Sequence, residues 1–121
     1  MKLYINSIKN NSTQIEVKLL QEGEVVAEKV VEARYRQAEN LLPLIAEVIG
    51  GDHKKEEIES IEVENEGGTF TSVRIGVTVA NALGYAWGAP VKGTSSEKKE
   101  KEVAGITITR PGYDREPNIT V

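Results

Sequence analysis

The chain has 121 residues, 39% hydrophobic and 28% charged, enough for the core of one compact domain. Its 15 Lys and Arg against 19 Asp and Glu leave a formal net charge of −4, the wrong sign for gripping a phosphate backbone unaided. With no cysteine and one histidine, disulfide scaffolds, thiolate zinc sites, cysteine nucleophiles and any chemistry needing two imidazoles are excluded.

Met1-Lys2 leads into only the short run Leu3 to Ile5, too little for a signal-peptide core. No stretch approaches the roughly 20 apolar residues of a membrane-spanning helix, so a soluble cytoplasmic protein without membrane contact is expected. Leu3 to Ile5 reads as a first strand, and the polar cluster Asn6 to Ser12 as a turn. From Gln14 to Leu20 the pattern alternates, with Ile15, Val17 and Leu19 on one face and Glu16 and Lys18 on the solvent side. Gln21-Glu22-Gly23-Glu24 is a short turn, and Val25 to Val31 is rich in β-branched residues. Three consecutive antiparallel strands follow from this pattern.

After Ala33 the period changes. Ala38, Leu41, Leu42, Ile45, Val48 and Ile49 share one helical stripe that Gly50-Gly51 ends, and Pro43 inside it predicts a kink or a late start. A fourth strand is expected near Ile58 to Glu64, then a turn over Asn65 to Thr69, then a second helix from about Thr71 to Trp87. That helix is apolar around much of its circumference through Val73, Ile75, Val77, Val79, Leu83 and Trp87. Gly76, Ala80 and Gly84 recur every four residues, a strip with little side chain that lets another backbone come close, either the protein's own sheet or a partner. Ala89-Pro90-Val91 reads as a last strand of the open sheet, and Ser95 to Glu102 as a solvated turn or short helix with Glu–Lys support. Ile106 to Thr109 alternates once more before a Pro-punctuated tail, Arg110 to Pro117.

Candidates for chemistry are few. His53, in a charged loop, has no second His or Cys beside it to build a metal site. Glu56, Glu57, Glu59, Glu62, Glu64 and Glu66 read as a solvated face, because a catalytic acid–base pair needs burial to move a pKa. Gly67-Gly68-Thr69 ahead of a helix offers N–H groups to an anion but lacks the Lys-Ser/Thr of a P-loop and the spacing of a dinucleotide fingerprint, so it reads as a structural turn. Arg74, one turn into the helix, opposes the helix dipole and calls for a compensating carboxylate, from the chain itself or from a partner. No catalytic, cofactor-binding or metal-binding residue and no cofactor is predicted.

The stretch Gly67-Gly68-Thr69-Phe70-Thr71-Ser72-Val73-Arg74-Ile75-Gly76 resembles the Gly-Ser-Phe-Thr-Gly-Leu-Arg-Ile-Gly segment of the TsaB (YeaZ) family, noncatalytic partners in bacterial tRNA threonylcarbamoyladenosine synthesis. Gly23 to Glu28 is similar to that family's third-strand turn. Ala38-Glu39-Asn40-Leu41-Leu42-Pro43-Leu44-Ile45 is similar to its Ser-Glu-Arg-Leu-Leu-Pro-Leu-Ile helix, and Pro111-Gly112-Tyr113-Asp114-Arg115 to its C-terminal Pro-x-Tyr-x-Arg.

The resemblance implies an α/β fold: a single actin-like (ribonuclease-H-like) lobe whose mixed sheet starts with three antiparallel strands and carries two main helices. Residues 1–92 would form the lobe, and 93–121 a charged turn, short strand and extended tail where the family has a second lobe. Actin-like ATPases carry an Asp-x-Ser/Thr loop after the first strand; Asn6-Ser7-Ile8-Lys9 here lacks the anionic Mg²⁺ ligand, so nucleotide hydrolysis is not expected.

In the family, two helices pair with the catalytic TsaD-type subunit, and the same surface makes homodimers. The implied role is therefore a scaffold for threonylcarbamoyl transfer to tRNA, not an enzyme. Its partners would be a TsaD-type subunit, a TsaE-type ATPase of the same pathway and a second copy, without direct nucleic-acid contact. The expected interface is Leu41, Leu44, Arg74, Val77, Thr78, Ala80, Asn81, Gly84 and Tyr85, with Ile75, Val79, Leu83 and Ala86 turned toward the sheet. Two alternatives are a self-associating module with another partner, and a residual nucleotide-binding or peptidase-like lobe.

Overall fold

Alternation in the first third of the chain builds a meander. In the computed structural model, which describes residues 1–50 and 57–94 together with the backbone of strands 100–103 and 106–109, β1 (Lys2–Ile8), β2 (Gln14–Gln21) and β3 (Glu24–Glu32) run antiparallel in sequence. Glu22 and Gly23 both take positive φ, 54° and 85°, which gives the β2–β3 hairpin the twist its strands need. The predicted turn after β1 is shorter than expected, because Asn6, Ser7 and Ile8 continue the strand. It closes through α1 (Lys9–Ser12), a single left-handed turn in which Asn10, Asn11 and Ser12 have φ of 54°, 58° and 66°. Asparagine tolerates that region better than most residues, which fits the Asn-Asn pair to this reversal.

Helix α2 (Gln37–Ile49) begins ahead of Pro43 and runs through it, so the proline does not delay the helix. Strand β4 (Ser60–Val63) then pairs parallel with β1, and α3 (Phe70–Trp87) crosses over to β5 (Val91–Gly93), parallel to β4. The sheet order is β3-β2-β1-β4-β5. Two further strands, β6 (Glu100–Val103) and β7 (Ile106–Thr109), form an antiparallel pair, with β7 close to β5 and α3. The end of the charged run thus belongs to a strand, where a solvated turn or helix was expected; pairing with the alternating Ile106–Thr109 supplies the backbone hydrogen bonds that propensity alone does not favour. Residues 51–56, with Asp52, His53 and Glu56, lie outside the described residues, as does the tail from Arg110.

One face of the sheet is the core. Leu3, Ile5, Ile15, Val17, Leu19, Ile61, Val63 and Val91 are buried and register with one another across the strands, and both helices cover this side. The opposite face carries Tyr4, Glu16, Lys18, Glu62 and Lys92. Glu16 is buried there rather than solvated, held between Lys9 at 3.4 Å and Lys18 at 3.9 Å.

Candidate two-helix docking face

The segment that carried the strongest sequence signal folds as a helix start. Gly67 takes φ 104°, and Gly68 lies so close to β1 that a Cβ there would stand 2.5 Å from Ile8 Cβ and 2.9 Å from Ser12 Oγ. Thr69 is the N-cap, its Oγ1 accepting from Ser72 N at 3.1 Å, while Thr69 N donates to Ser12 Oγ at 3.2 Å. The glycines therefore make room between loop and strand.

The orientation of α3 differs from the sequence expectation. Ser72, Val73, Gly76, Val77, Ala80 and Gly84 are its buried residues, so the small-residue strip faces the protein's own sheet. A Cβ on Gly76 would stand 3.1 Å from Ser7 Cβ, and one on Gly84 2.8 Å from the Ala89 carbonyl oxygen. The physical reason is proximity. A helix lying this close to β1, β4 and β5 can turn only small residues toward Ser7, Val63 and Val91, whose own side chains fill the space. Ile75, Val79 and Leu83, expected to point at the sheet, are only partly buried on the flank, and Ala86 is exposed.

Five of the nine residues placed at the interface by sequence, Leu41, Leu44, Val77, Ala80 and Gly84, are buried within the chain and are not on its surface. Arg74, Thr78 and Tyr85 are exposed, and Asn81 is partly so. On α2 the stripe is likewise rotated: Gln37, Leu41, Leu44, Ile45 and Val48 face inward, while Ala38 and Leu42 face out, Leu42 at 51% exposure. Gln37 conceals this register in the sequence because it is polar yet buried, its Nε2 donating to Ser12 O at 2.7 Å and Ser72 Oγ at 2.9 Å.

The outer surface is an apolar groove of about 350 Å³ between the helices, lined by Ala38, Thr71, Arg74, Ile75, Thr78 and Val79. Exposed Leu42, Phe70 (45%) and Tyr85 (74%) lie on the same two helices. Among the described residues no carboxylate pairs with Arg74; its guanidinium instead sits over the Phe70 ring at 5.6 Å from the centroid. Sequence reasoning missed Ala38, Leu42, Phe70 and Thr71. The available signal was the i, i+4, i+7, i+8, i+11 spacing from Gln37, legible only if that glutamine is counted as core.

The β1 loop is committed to structure. Asn6 Oδ1 accepts from Ile8 N at 2.9 Å, and Ser7 Oγ donates to Ser72 O at 2.6 Å. Among the described residues no group of three His, Asp or Glu is placed to hold a metal ion. Of the acidic run, Glu57, Glu59 and Glu66 are exposed and Glu62 pairs with Lys2 at 2.9 Å. Glu64 accepts from Tyr4 Oη at 2.6 Å and from Thr94 Oγ1 at 2.7 Å. Partial burial, then the Glu64 carboxylate, holds the Tyr4 phenol above its ordinary range.

A family model described as TsaD: tRNA N6-adenosine threonylcarbamoyltransferase matches residues 18–107. The chain belongs to this family. Within it the chain is of the TsaB/YeaZ type. It is 27% identical over 93 residues to the tRNA threonylcarbamoyladenosine biosynthesis protein TsaB of Bacillus subtilis, an overlap of 76% of this chain and 41% of that protein. The chain thus spans about two fifths of the length of this curated relative.

Among solved structures it is similar to YeaZ from Pseudomonas aeruginosa, with a TM-score of 0.69 and 18% identity over 92% of this chain and 64% of that one. A second structure, titled as an uncharacterized protein with similarity to peptidase YEAZ from Pseudomonas aeruginosa, gives 0.69 and 18% over 99% and 68%. The α/β fold and the opening antiparallel meander are those of the TsaB/YeaZ actin-like lobe. Among the described residues no helix is long and apolar enough to cross a membrane.

Proposed function

We propose that this TsaB/YeaZ-family chain is a noncatalytic scaffold in tRNA threonylcarbamoyladenosine synthesis, docking a TsaD-type transferase on the outer face of α2 and α3. The observation that carries the reading is the outward groove of Ala38, Ile75, Thr78 and Val79, with Arg74 at its edge and no carboxylate of the described chain beside it. Aliphatic and aromatic side chains around one arginine are the composition of an interface core. A carboxylate on the transferase would supply the partner that Arg74 lacks. Arg74, Thr78, Asn81 and Tyr85 remain in the proposed contact, joined by Ala38, Leu42 and Phe70.

In this reading residues 1–92 form the docking lobe and 93–121 the segment that follows it. A second copy competes for the same face, and a TsaE-type ATPase binds the assembled pair. The test is co-expression with the TsaD-type protein of the same source and mass determination of what co-purifies. A stoichiometric complex that Thr78→Glu dissolves is expected. Two non-interacting peaks would refute the scaffold, and a complex indifferent to Thr78→Glu would move it to another surface. Saturable micromolar ATP binding by the isolated chain would favour the nucleotide-binding alternative.

A further inference from the structure

We infer that the outer edge of β3 binds an extended segment of a partner chain as an added antiparallel strand, one that sets lysine or arginine against Glu28 and Glu32 and an apolar residue against Val30. The sheet order β3-β2-β1-β4-β5 leaves β3 at a margin, and among the described residues no strand pairs with its outer side. Ala33 N donates to Thr13 O at 2.9 Å, and strand alternation carries that direction back along β3. The backbone groups of Val31 and Lys29 therefore turn toward β2, while those of Glu28, Val30 and Glu32 turn away from the sheet. An irregularity in register opposite Leu19 and Leu20 interrupts the edge on its N-terminal side, so the regular stretch is 27–32.

Side chains along this stretch define the occupant. Glu28, Val30 and Glu32 stand in register with Lys18, Glu16 and Gln14, on the sheet face away from the helices. All three are exposed, Val30 at 40%. Lys18, the cation opposite Glu28, leans instead toward Glu16 at 3.9 Å and the Tyr4 ring at 5.5 Å. Glu32 accepts from a neutral donor, Gln14 Nε2 at 2.6 Å. Neither glutamate forms an ion pair among the described residues. Lys29, the one cation of β3, belongs to the other face and donates to Glu47 on α2. The edge thus presents acid, apolar and acid at alternate positions, each beside backbone groups that point outward.

A second copy fits this edge badly. Antiparallel pairing centred on Lys29 sets Lys29 against Lys29, and pairing centred on Val30 sets Glu28 against Glu32; like charges directly opposite destabilise a ladder. The same charges guard the edge against self-association. A strand with cations four residues apart and a β-branched residue midway turns both repulsions into attractions, with main-chain hydrogen bonds as the attachment. The edge is separate from the groove between α2 and α3, and the inference does not depend on the scaffold reading.

The isotope-labelled full chain is titrated at low salt with the peptide Thr-Lys-Thr-Val-Thr-Lys-Thr and with its Glu-for-Lys counterpart, and followed by amide NMR. In the free chain, exchange is expected to be fast at Glu28, Val30 and Glu32 and slow at Lys29 and Val31. The lysine peptide should bind saturably, protect the three fast amides and bind at least about tenfold more tightly than the glutamate peptide. Val30→Pro removes the central outward N–H without touching an inward bond and should abolish that protection. Glu28→Lys with Glu32→Lys, both surface changes, should reverse the peptide preference, which keeps the test decisive if the proline variant fails to fold. No saturable binding of the lysine peptide, equal affinity for the two peptides, or binding indifferent to these variants overturns the inference. A dimer of the parent that Val30→Pro dissolves overturns it in favour of a second copy. Thr78→Glu should leave peptide binding unchanged and Val30→Pro should leave the transferase complex intact, so this inference and the scaffold reading fail separately.

Discussion

Replacing Gly84 by Ala distinguishes an inward from an outward small-residue strip by the sign of one stability change. In an exposed helix interior the substitution gains about 1 kcal/mol of helix propensity. Facing the sheet, the added Cβ meets the Val91 side chain and stands 2.8 Å from the Ala89 carbonyl oxygen. Val91 is fully buried, and Ala89 N donates to Gly84 O at 2.9 Å, so this backbone cannot retreat without straining the bond that ends α3. Overpacking of a closed site costs about 1–3 kcal/mol and the backbone contact places this case in the upper part of that range. The expected net effect is a loss of about 1–2 kcal/mol, or roughly 3–8 °C in Tm for a chain of this size. Circular dichroism melts of the two proteins measure it directly. A rise in Tm for Gly84→Ala would mean that the strip is exposed and the helix orientation described here is wrong.

Further outcomes follow from the same packing. Ala80→Glu places a carboxylate at a fully buried position and should cost several kcal/mol, enough to unfold a domain of ordinary stability, whereas Thr78→Glu on the exposed side should stay within about 0.5 kcal/mol by urea titration. Gln37→Leu strands the Ser12 carbonyl and the Ser72 hydroxyl and should lower stability by about 1–3 kcal/mol, read as a lower urea midpoint at unchanged m. The Tyr4 phenol titrates higher in the folded than in the unfolded chain, so its contribution is complete below the ordinary value of 10.0 and is lost as pH rises beyond it. Urea midpoints from neutral to strongly alkaline pH should fall less steeply above that value for Tyr4→Phe than for the parent; parallel curves would refute the assignment.

The amino-acid order alone determined the meander, the two long helices and the presence of strands at β4 and β5, because alternation, the Glu22-Gly23 turn and the Thr69 cap are local signals acting over a few residues; that β4 and β5 run parallel to β1 came from the tertiary structure. It also carried the family, through residues 67–76. What it left open was rotation. An apolar helix such as α3 can bury either of two stripes, and only the distance between its axis and the sheet decided that Gly76, Ala80 and Gly84 go inward while Arg74, Thr78 and Tyr85 stay out. Gln37 and Glu16 are buried because hydrogen bonds and lysines from distant segments reach them, partners that no local pattern reveals.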